Sequence, residues 1–216
     1  KEKYNAHVVT FSMAPADARE SIMGALAMGA DEAYLLSDAS FRGSDTLATS
    51  RVLSAALKNT GLFDLIICGV ESADGSTAQV GPQTAVLMGL PFATFVEEAE
   101  IQDQRLQVTA DYVSFRQKMA LELPALITIT RKINTPRTAT LMGIMAASGK
   151  PLHVWSAQDI PGLDLTEVGL SGSPTTMGNF RQLTQRRLKM IEGTTEEKAN
   201  KLAQLLFSGG RGLSNG

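Results

Sequence analysis

The first ninety residues alternate two hydrophobic periods, and that alternation narrows the fold more than any other feature of the chain. His7-Val8-Val9-Thr10-Phe11-Ser12 is a largely apolar run ending at Met13-Ala14-Pro15, the pattern of a buried strand. A helical stretch follows, with Pro15 suited to its first turn, Ile22 and Leu26 on one face, and Gly29 near its end. Ala33-Tyr34-Leu35-Leu36 is the next strand-like run. Residues 45–57 then carry Ala48, Val52 and Ala56 in helical register, with Gly61 as a stop. Asp64-Leu65-Ile66-Ile67-Cys68-Gly69 is a third strand, continuous in apolar character. Strands apolar on both faces and separated by helices require a parallel sheet covered on two sides. The expected fold class is α/β.

After Gly69 the chain turns polar through Val70-Glu71-Ser72-Ala73-Asp74-Gly75. Ser76 and Gln79 have capping-box spacing, so a helix is expected from there through Val80 to Met88, stopping before Gly89-Leu90-Pro91. From Phe92 the period changes. Leu106, Val108 and Ala110 alternate with polar residues, as do Met119, Leu121 and Leu123, the pattern of half-buried antiparallel strands. Leu126-Ile127-Thr128-Ile129-Thr130 reads as one deeply buried strand. Beyond Asn134 the local signals are weak until a last helix, capped by Thr194 and Glu197, with Ala199, Leu202, Ala203 and Leu206 along one side. That stripe must bury itself against this domain or a partner chain.

Composition removes several classes of function. Twenty Lys+Arg against 22 Asp+Glu give a net charge of −2, and the densest basic cluster is only Arg181, Arg186, Arg187 and Lys189. Nucleic-acid binding through a broad basic face is not expected. Cys68 is the one cysteine, which removes an internal disulfide and a cysteine-rich metal site, and His7 and His153 are the only histidines. No apolar run approaches the roughly 20 residues of a membrane span, and no signal-peptide layout opens the chain. A soluble, cytoplasmic protein is expected.

The segment at residues 69–81 is the most informative place for chemistry. It follows a buried parallel strand and opens a helix, an arrangement that binds anions such as nucleotide phosphates. Gly69, Ser72, Ala73, Gly75 and Ser76 are small enough to let a ligand approach the backbone. It is neither G-x-G-x-x-G nor a Walker loop, and an ordinary βα turn with a capped helix has the same pattern. No nucleophile elbow or paired carboxylates are present. Cys68 reads as an inert buried thiol, and Asp74 as a capping or loop residue or a catalytic acid. The run Leu141-Met142-Gly143-Ile144-Met145 suits either core packing or an adaptable docking surface.

Several motifs, in one order, resemble the β subunit of electron-transfer flavoproteins. They include Asp64 to Gly69 and then Asp74-Gly75-Ser76-Thr77-Ala78-Gln79-Val80-Gly81-Pro82-Gln83. Earlier matches are Lys1-Glu2-Lys3, Ser12-Met13-Ala14-Pro15 and Ala25-Leu26-Ala27-Met28-Gly29-Ala30-Asp31. Later ones are Leu123-Pro124-Ala125-Leu126-Ile127-Thr128 and Pro136-Arg137-Thr138-Ala139-Thr140-Leu141.

The resemblance implies a Rossmann-like adenine-nucleotide-binding domain (1–135) with a mainly parallel sheet and an added antiparallel segment. A partner-docking loop (136–150) and a long C-terminal arm wrapping an α subunit (151–216) would follow. It implies FAD shared with the α subunit, close to its isoalloxazine, and a second adenine nucleotide, AMP or a second FAD, in this chain. Met13, Gly69, Val70, Glu71, Ser72, Ala73, Asp74, Gly75, Ser76, Thr77, Ala78, Gln79 and Val80 would line that pocket. Leu141, with Met142 beside it, would dock into an acyl-CoA dehydrogenase-type flavoenzyme.

The Asp74-Gly75-Ser76-Thr77 loop looks more like that of the electron-bifurcating group. A second FAD is therefore expected, with NADH as donor and ferredoxin and an enoyl-CoA as acceptors. An ordinary electron shuttle with structural AMP is the alternative, and a nucleotide-dependent regulatory protein of the same architecture is a third reading.

The chain also departs from the family. Val70 and Glu71 stand where a basic residue and Gln are usual, which removes a side-chain charge from the phosphate site and leaves amides and helix dipole to carry more of it. Ala110 and Tyr112-Val113-Ser114 replace a basic residue and an Asp-Gly-Gly-like turn. Family members also have a strand and loop ahead of the Lys1-Glu2-Lys3 match. The chain is therefore expected not to be the complete folding unit, since a sheet without that strand exposes an edge.

Overall fold

Two sheets organise the strands. The computed structural model describes residues 1–73, 75–176, 178 and 190–208. Those up to 176 form one unit and those from 178 onward a second. In chain order the elements are β1 (Val9–Met13), α1 (Arg19–Met28), β2 (Glu32–Leu36), α2 (Thr46–Thr60), β3 (Leu65–Gly69), α3 (Val80–Met88) and β4 (Phe92–Gln102). There follow β5 (Arg105–Asp111), β6 (Arg116–Glu122), β7 (Ala125–Ile129), α4 (Leu141–Ala147), β8 (Leu152–Trp155) and α5 (Thr195–Ser208).

The first sheet is parallel throughout, in the order β1-β2-β8. Its central strand shows why it is covered on both faces. Tyr34 and Leu36 face Val52 and Ala56 of α2 together with Ile160 and Val168. Ala33 and Leu35, one residue out of phase, face Ile22 and Leu26 of α1 and Ala147 of α4. The weakly patterned tail beyond Asn134 thus supplies α4, β8 and part of the core. Residues 151–176, which fall in the stretch expected to form the arm, pack in this unit through β8, Ile160 and Val168.

The second sheet runs β3-β7-β4-β5-β6, parallel at β3-β7-β4 and antiparallel beyond. Leu126 and Ile127, successive on β7, point to opposite faces. Leu126 packs with Leu57, Ile66 and Ala85, and Ile127 with Ala93, Val96, Leu106 and Val108. Phe11 of β1 packs against both the Val52 cluster and the Leu57–Ile66 cluster. The two sheets therefore share apolar contacts. β1 pairs only with β2 and β3 only with β7, so no ladder joins the sheets among the described residues.

Helix ends follow local chemistry. Gly29 and Gly89, both with positive φ, close α1 and α3, as expected for glycine beyond a last turn. Asp45 caps α2 by accepting from the Leu47 and Ala48 amides, each at 3.0 Å. Its other oxygen accepts from Thr175 N (3.0 Å) and Oγ1 (2.7 Å), pinning residues 173–175 to the helix start. In the second unit, Thr194 and Glu197 form the expected reciprocal box at α5, with Thr194 N donating at 2.8 Å and Glu197 N at 3.3 Å. No described helix is long and apolar enough to cross a membrane.

Burial pushes the Asp45 carboxyl up, but hydrogen bonds from Ala48 and Thr175 outweigh it and hold the group below the usual aspartate value. Asp38 is held low by the Ala157 amide and by Ser40. Groups with depressed folded values stabilise the fold above the unfolded value of about pH 4, and that stability is lost as pH falls through the folded values. Asp45→Ala is expected to cost about 1–2 kcal/mol in urea unfolding at neutral pH. Asp45→Asn is expected to flatten the acid limb of stability below about pH 4. An unchanged acid limb in Asp45→Asn contradicts this account of the cap.

Candidate nucleotide site at the start of α3

β3 ends at Gly69, and the chain crosses residues 70–79 before α3 begins. Val70, Ala78 and Val80 are half-buried, whereas Glu71, Ser72, Ala73, Gly75, Ser76, Thr77 and Gln79 are exposed. Asp74 lies outside the described residues, as does the basic cluster of Arg181, Arg186, Arg187 and Lys189. Ser72 organises the loop. Its carbonyl accepts from Ser76 N at 3.1 Å and Ser76 Oγ at 3.2 Å, and its hydroxyl accepts from Gly75 N at 3.3 Å.

The capping box expected between Ser76 and Gln79 does not form. Ser76 and Ala78 adopt left-handed backbone (φ 45° and 55°), so the helix starts at Val80 instead. The Ser76 hydroxyl is spent on Ser72, and Gln79 Oε1 accepts from Thr46 Oγ1 at 2.9 Å. Two non-glycine residues in that conformation cost on the order of 1 kcal/mol or more each, strain that concentrates in functional segments.

Two contacts fix where α3 points. Gly81 lies against β7 so closely that a Cβ there would come within 2.4 Å of Thr128 Cγ2. Ser50 of α2 donates within 3.2 Å of the Val80 carbonyl, which ties the first turns of α2 and α3 together. Their termini nevertheless differ. Asp45 satisfies the α2 amides, but α3 has no side-chain cap, and Val80 and Gly81 N–H have no acceptor among the described residues. An uncapped helix start with small residues ahead of it suits an anionic ligand. A Cβ at Gly69 would meet nothing closer than 3.8 Å, so the approach is open. The arrangement fits a nucleotide phosphate held by backbone amides. An apolar concavity of about 250 Å³ adjoins the first turn, lined by Leu47, Pro82, Gln83, Val86 and Leu87.

Met13 ends β1 in the first sheet, half-buried against the cluster around Tyr34 and Val52. Burial pushes the Cys68 thiol up, away from thiolate reactivity. Both histidines meet Glu32. His153 Nε2 is 2.9 Å from Glu32 Oε1 and His7 Nε2 is 3.6 Å from Oε2. Burial, with Glu32 beside it, pushes the Tyr34 hydroxyl up to about 12. Among the described residues no three His, Cys, Asp or Glu side chains are grouped to hold a metal ion.

The methionine-rich run is not core. It forms α4, with Leu141 73%, Met142 74%, Ile144 56% and Met145 64% exposed. Thr140 Oγ1 caps it by accepting from Gly143 N at 3.0 Å, and Gly143 packs so close to α1 that a Cβ there would lie 2.4 Å from the Ala27 carbonyl. What sequence reasoning passed over is the segment after β7. Parallel pairing of Gly69 with Ile129 puts residues 130–131 and 70–71 at the same edge of the sheet, a nonlocal placement with no local signal.

Comparison with known proteins agrees with this architecture. The Electron transfer flavoprotein domain family matches residues 1–160, and the chain belongs to that family. It is 39% identical over 175 residues to an electron transfer flavoprotein subunit beta of Clostridium acetobutylicum, covering 81% of this chain and 67% of that one. It is 38% identical over 208 residues to the caffeyl-CoA reductase-Etf complex subunit CarD of Acetobacterium woodii (96% and 78%). It is 36% identical over 216 residues to the acryloyl-CoA reductase electron transfer subunit gamma of Anaerotignum propionicum (96% and 80%).

Gly81→Ala is expected to destabilise the protein by about 1–3 kcal/mol through overpacking on Thr128, despite a helix-propensity gain of about 1 kcal/mol. Thr128→Ser removes the clashing methyl and keeps the hydroxyl, so the double variant is expected to recover most of the loss in urea unfolding. A stabilised Gly81→Ala contradicts the contact.

Proposed function

We propose that this chain is the β subunit of an electron-transfer flavoprotein. It pairs with an α subunit, and the pair carries electrons between a donor and a flavoenzyme that acts on CoA thioesters. The observation that carries this reading is the uncapped, glycine-tight start of α3 at the carboxyl end of parallel β3, within a chain of this family. Open α/β sheets bind ligands at that end.

Bound FAD supplies the electron-accepting and electron-donating chemistry. The chain's own residues bind and place. Amides from Thr77 to Gly81 hold the phosphate of a second adenine nucleotide, and the turn in which Gly75 and Ser76 donate to Ser72 leads the chain into them. No side chain here is assigned as a catalytic acid or base.

The Asp74-Gly75-Ser76-Thr77 loop favours a second FAD, and with it bifurcation from NADH to ferredoxin and an enoyl-CoA. Relatives named for caffeyl-CoA and acryloyl-CoA reductases favour a CoA-thioester reductase as partner. An electron shuttle with structural AMP is the alternative. In this reading residues 1–135 hold the nucleotide and 136–150 dock the partner enzyme. The arm that meets the α subunit begins within residues 151–216. The exposed apolar residues Leu202, Leu205, Leu206 and Phe207 of α5 suit that role.

Cofactor content tests the proposal. After co-expression with the α subunit, two FAD per heterodimer are expected. One FAD with one AMP favours the shuttle, and a heterodimer with no adenine nucleotide beyond the shared FAD contradicts the site. Leu141→Ala is expected to slow electron transfer to the partner about ten-fold at limiting partner concentration, with flavin content unchanged. Equal rates remove Leu141 as the anchor.

A further inference from the structure

We infer that Arg131 supplies the cation facing the phosphate of the adenine nucleotide at the start of α3. This rests on the nucleotide-site reading above and adds a residue that the loop itself does not contain. Residues 69–81 carry no Lys or Arg, and Glu71 and Asp74 each add a negative charge. Amides and a helix dipole can hold an anion, but a phosphate gains most from a guanidinium.

The structure brings such a group to the right edge. β3 and β7 are adjacent and parallel, with Gly69 opposite Ile129, so Val70-Glu71 and Thr130-Arg131 leave the sheet at the same carboxyl edge. The turn that Arg131 opens is anchored. Thr130 N donates to Val96 O at 3.0 Å, and Thr130 Oγ1 accepts from Lys132 N at 3.2 Å.

Lys132, next to Arg131, is engaged by Glu97 at 2.7 Å and Asp111 at 3.3 Å. Arg116 contacts the same two carboxylates at 3.2 and 3.6 Å. Two cations and two carboxylates thus balance one another. Arg131 is exposed and has no hydrogen-bond or ion-pair partner among the described residues, and neither has Glu71. The exposed cation that follows β7 at this sheet edge is therefore not neutralised by the Lys132–Arg116 network. Arg131 compensates for the apolar Val70, and Glu71 works against binding.

The test uses the heterodimer with its α subunit. Nucleotide retained through gel filtration is released and quantified as AMP and FAD, which also separates the two sources of phosphate. Affinity of the nucleotide-depleted heterodimer for added AMP and for added FAD is measured at fixed ionic strength. Arg131→Ala is expected to weaken binding of the native nucleotide about ten- to a hundred-fold, with the thermal midpoint of the depleted protein unchanged. Arg131→Lys is expected to recover part of that loss, and Glu71→Gln to tighten binding. If Arg131→Ala binds like the parent while Gly75→Trp abolishes binding, the role of Arg131 is overturned and the site stands. If both bind like the parent, the site itself is misplaced and the inference falls with it.

Discussion

The contact between Gly81 and Thr128 sets how α3 and β4 meet β7. Thr128 is almost fully buried, and its two side-chain branches do separate jobs. Its methyl occupies the space that a Cβ at position 81 would need, so α3 can lie against β7 only because residue 81 has no side chain. Its hydroxyl accepts from the Phe95 amide at 3.2 Å, holding β4 where the register shifts between Ala93 and Val96 and Phe95 takes left-handed backbone (φ 57°). One small polar residue in an apolar strand thereby positions the helix on one side and the bulged strand on the other. The start of α3, and every amide proposed to meet a phosphate, takes its position from that packing.

Electrostatics then separates the two helices that lie side by side. Both α2 and α3 begin near Thr46 and Gln79, and unsatisfied amides at either could attract an anion. α2 is closed by Asp45, whose carboxylate also fastens residues 173–175. α3 has no side-chain cap behind its turn of small residues. The difference is a single side chain at the cap position, and it decides which helix is a structural support and which can take a ligand. The family assignment gives that geometry its meaning, since the same loop in an unrelated α/β chain reads equally well as a plain turn.

Much of the fold was legible locally. β1, β2 and β3 announce themselves through apolar runs, α2 through Asp45 and the Ala48–Val52–Ala56 register, and β5 and β6 through strict alternation. Partnering was not legible, because it is nonlocal. The strands of the first ninety residues divide between two sheets, and Leu152–Trp155, in a stretch of weak signals, pairs with β2 more than a hundred residues earlier. At the site, small residues and their place before a helix were visible. The capping box was misleading, because left-handed backbone at Ser76 and Ala78 diverts the Ser76 hydroxyl to Ser72. Arg131 was invisible for the same reason as β8, since its relation to Val70 exists only through strand pairing. For Leu141 to Met145, composition left core and surface both open. The close seat of Gly143 on Ala27 decides it by placing α4 on α1 with its large side chains outward.

The central claim is that an adenine nucleotide is held by the backbone amides between Thr77 and Gly81. Hydrogen exchange of the heterodimer, depleted of nucleotide and then resupplied with AMP or FAD, tests it most directly. The account predicts slowed exchange of amides within residues 77–81, the uncapped first turn of α3 included, and little change at the Asp45-capped start of α2. Protection confined to other segments, with residues 77–81 exchanging as before, would contradict it.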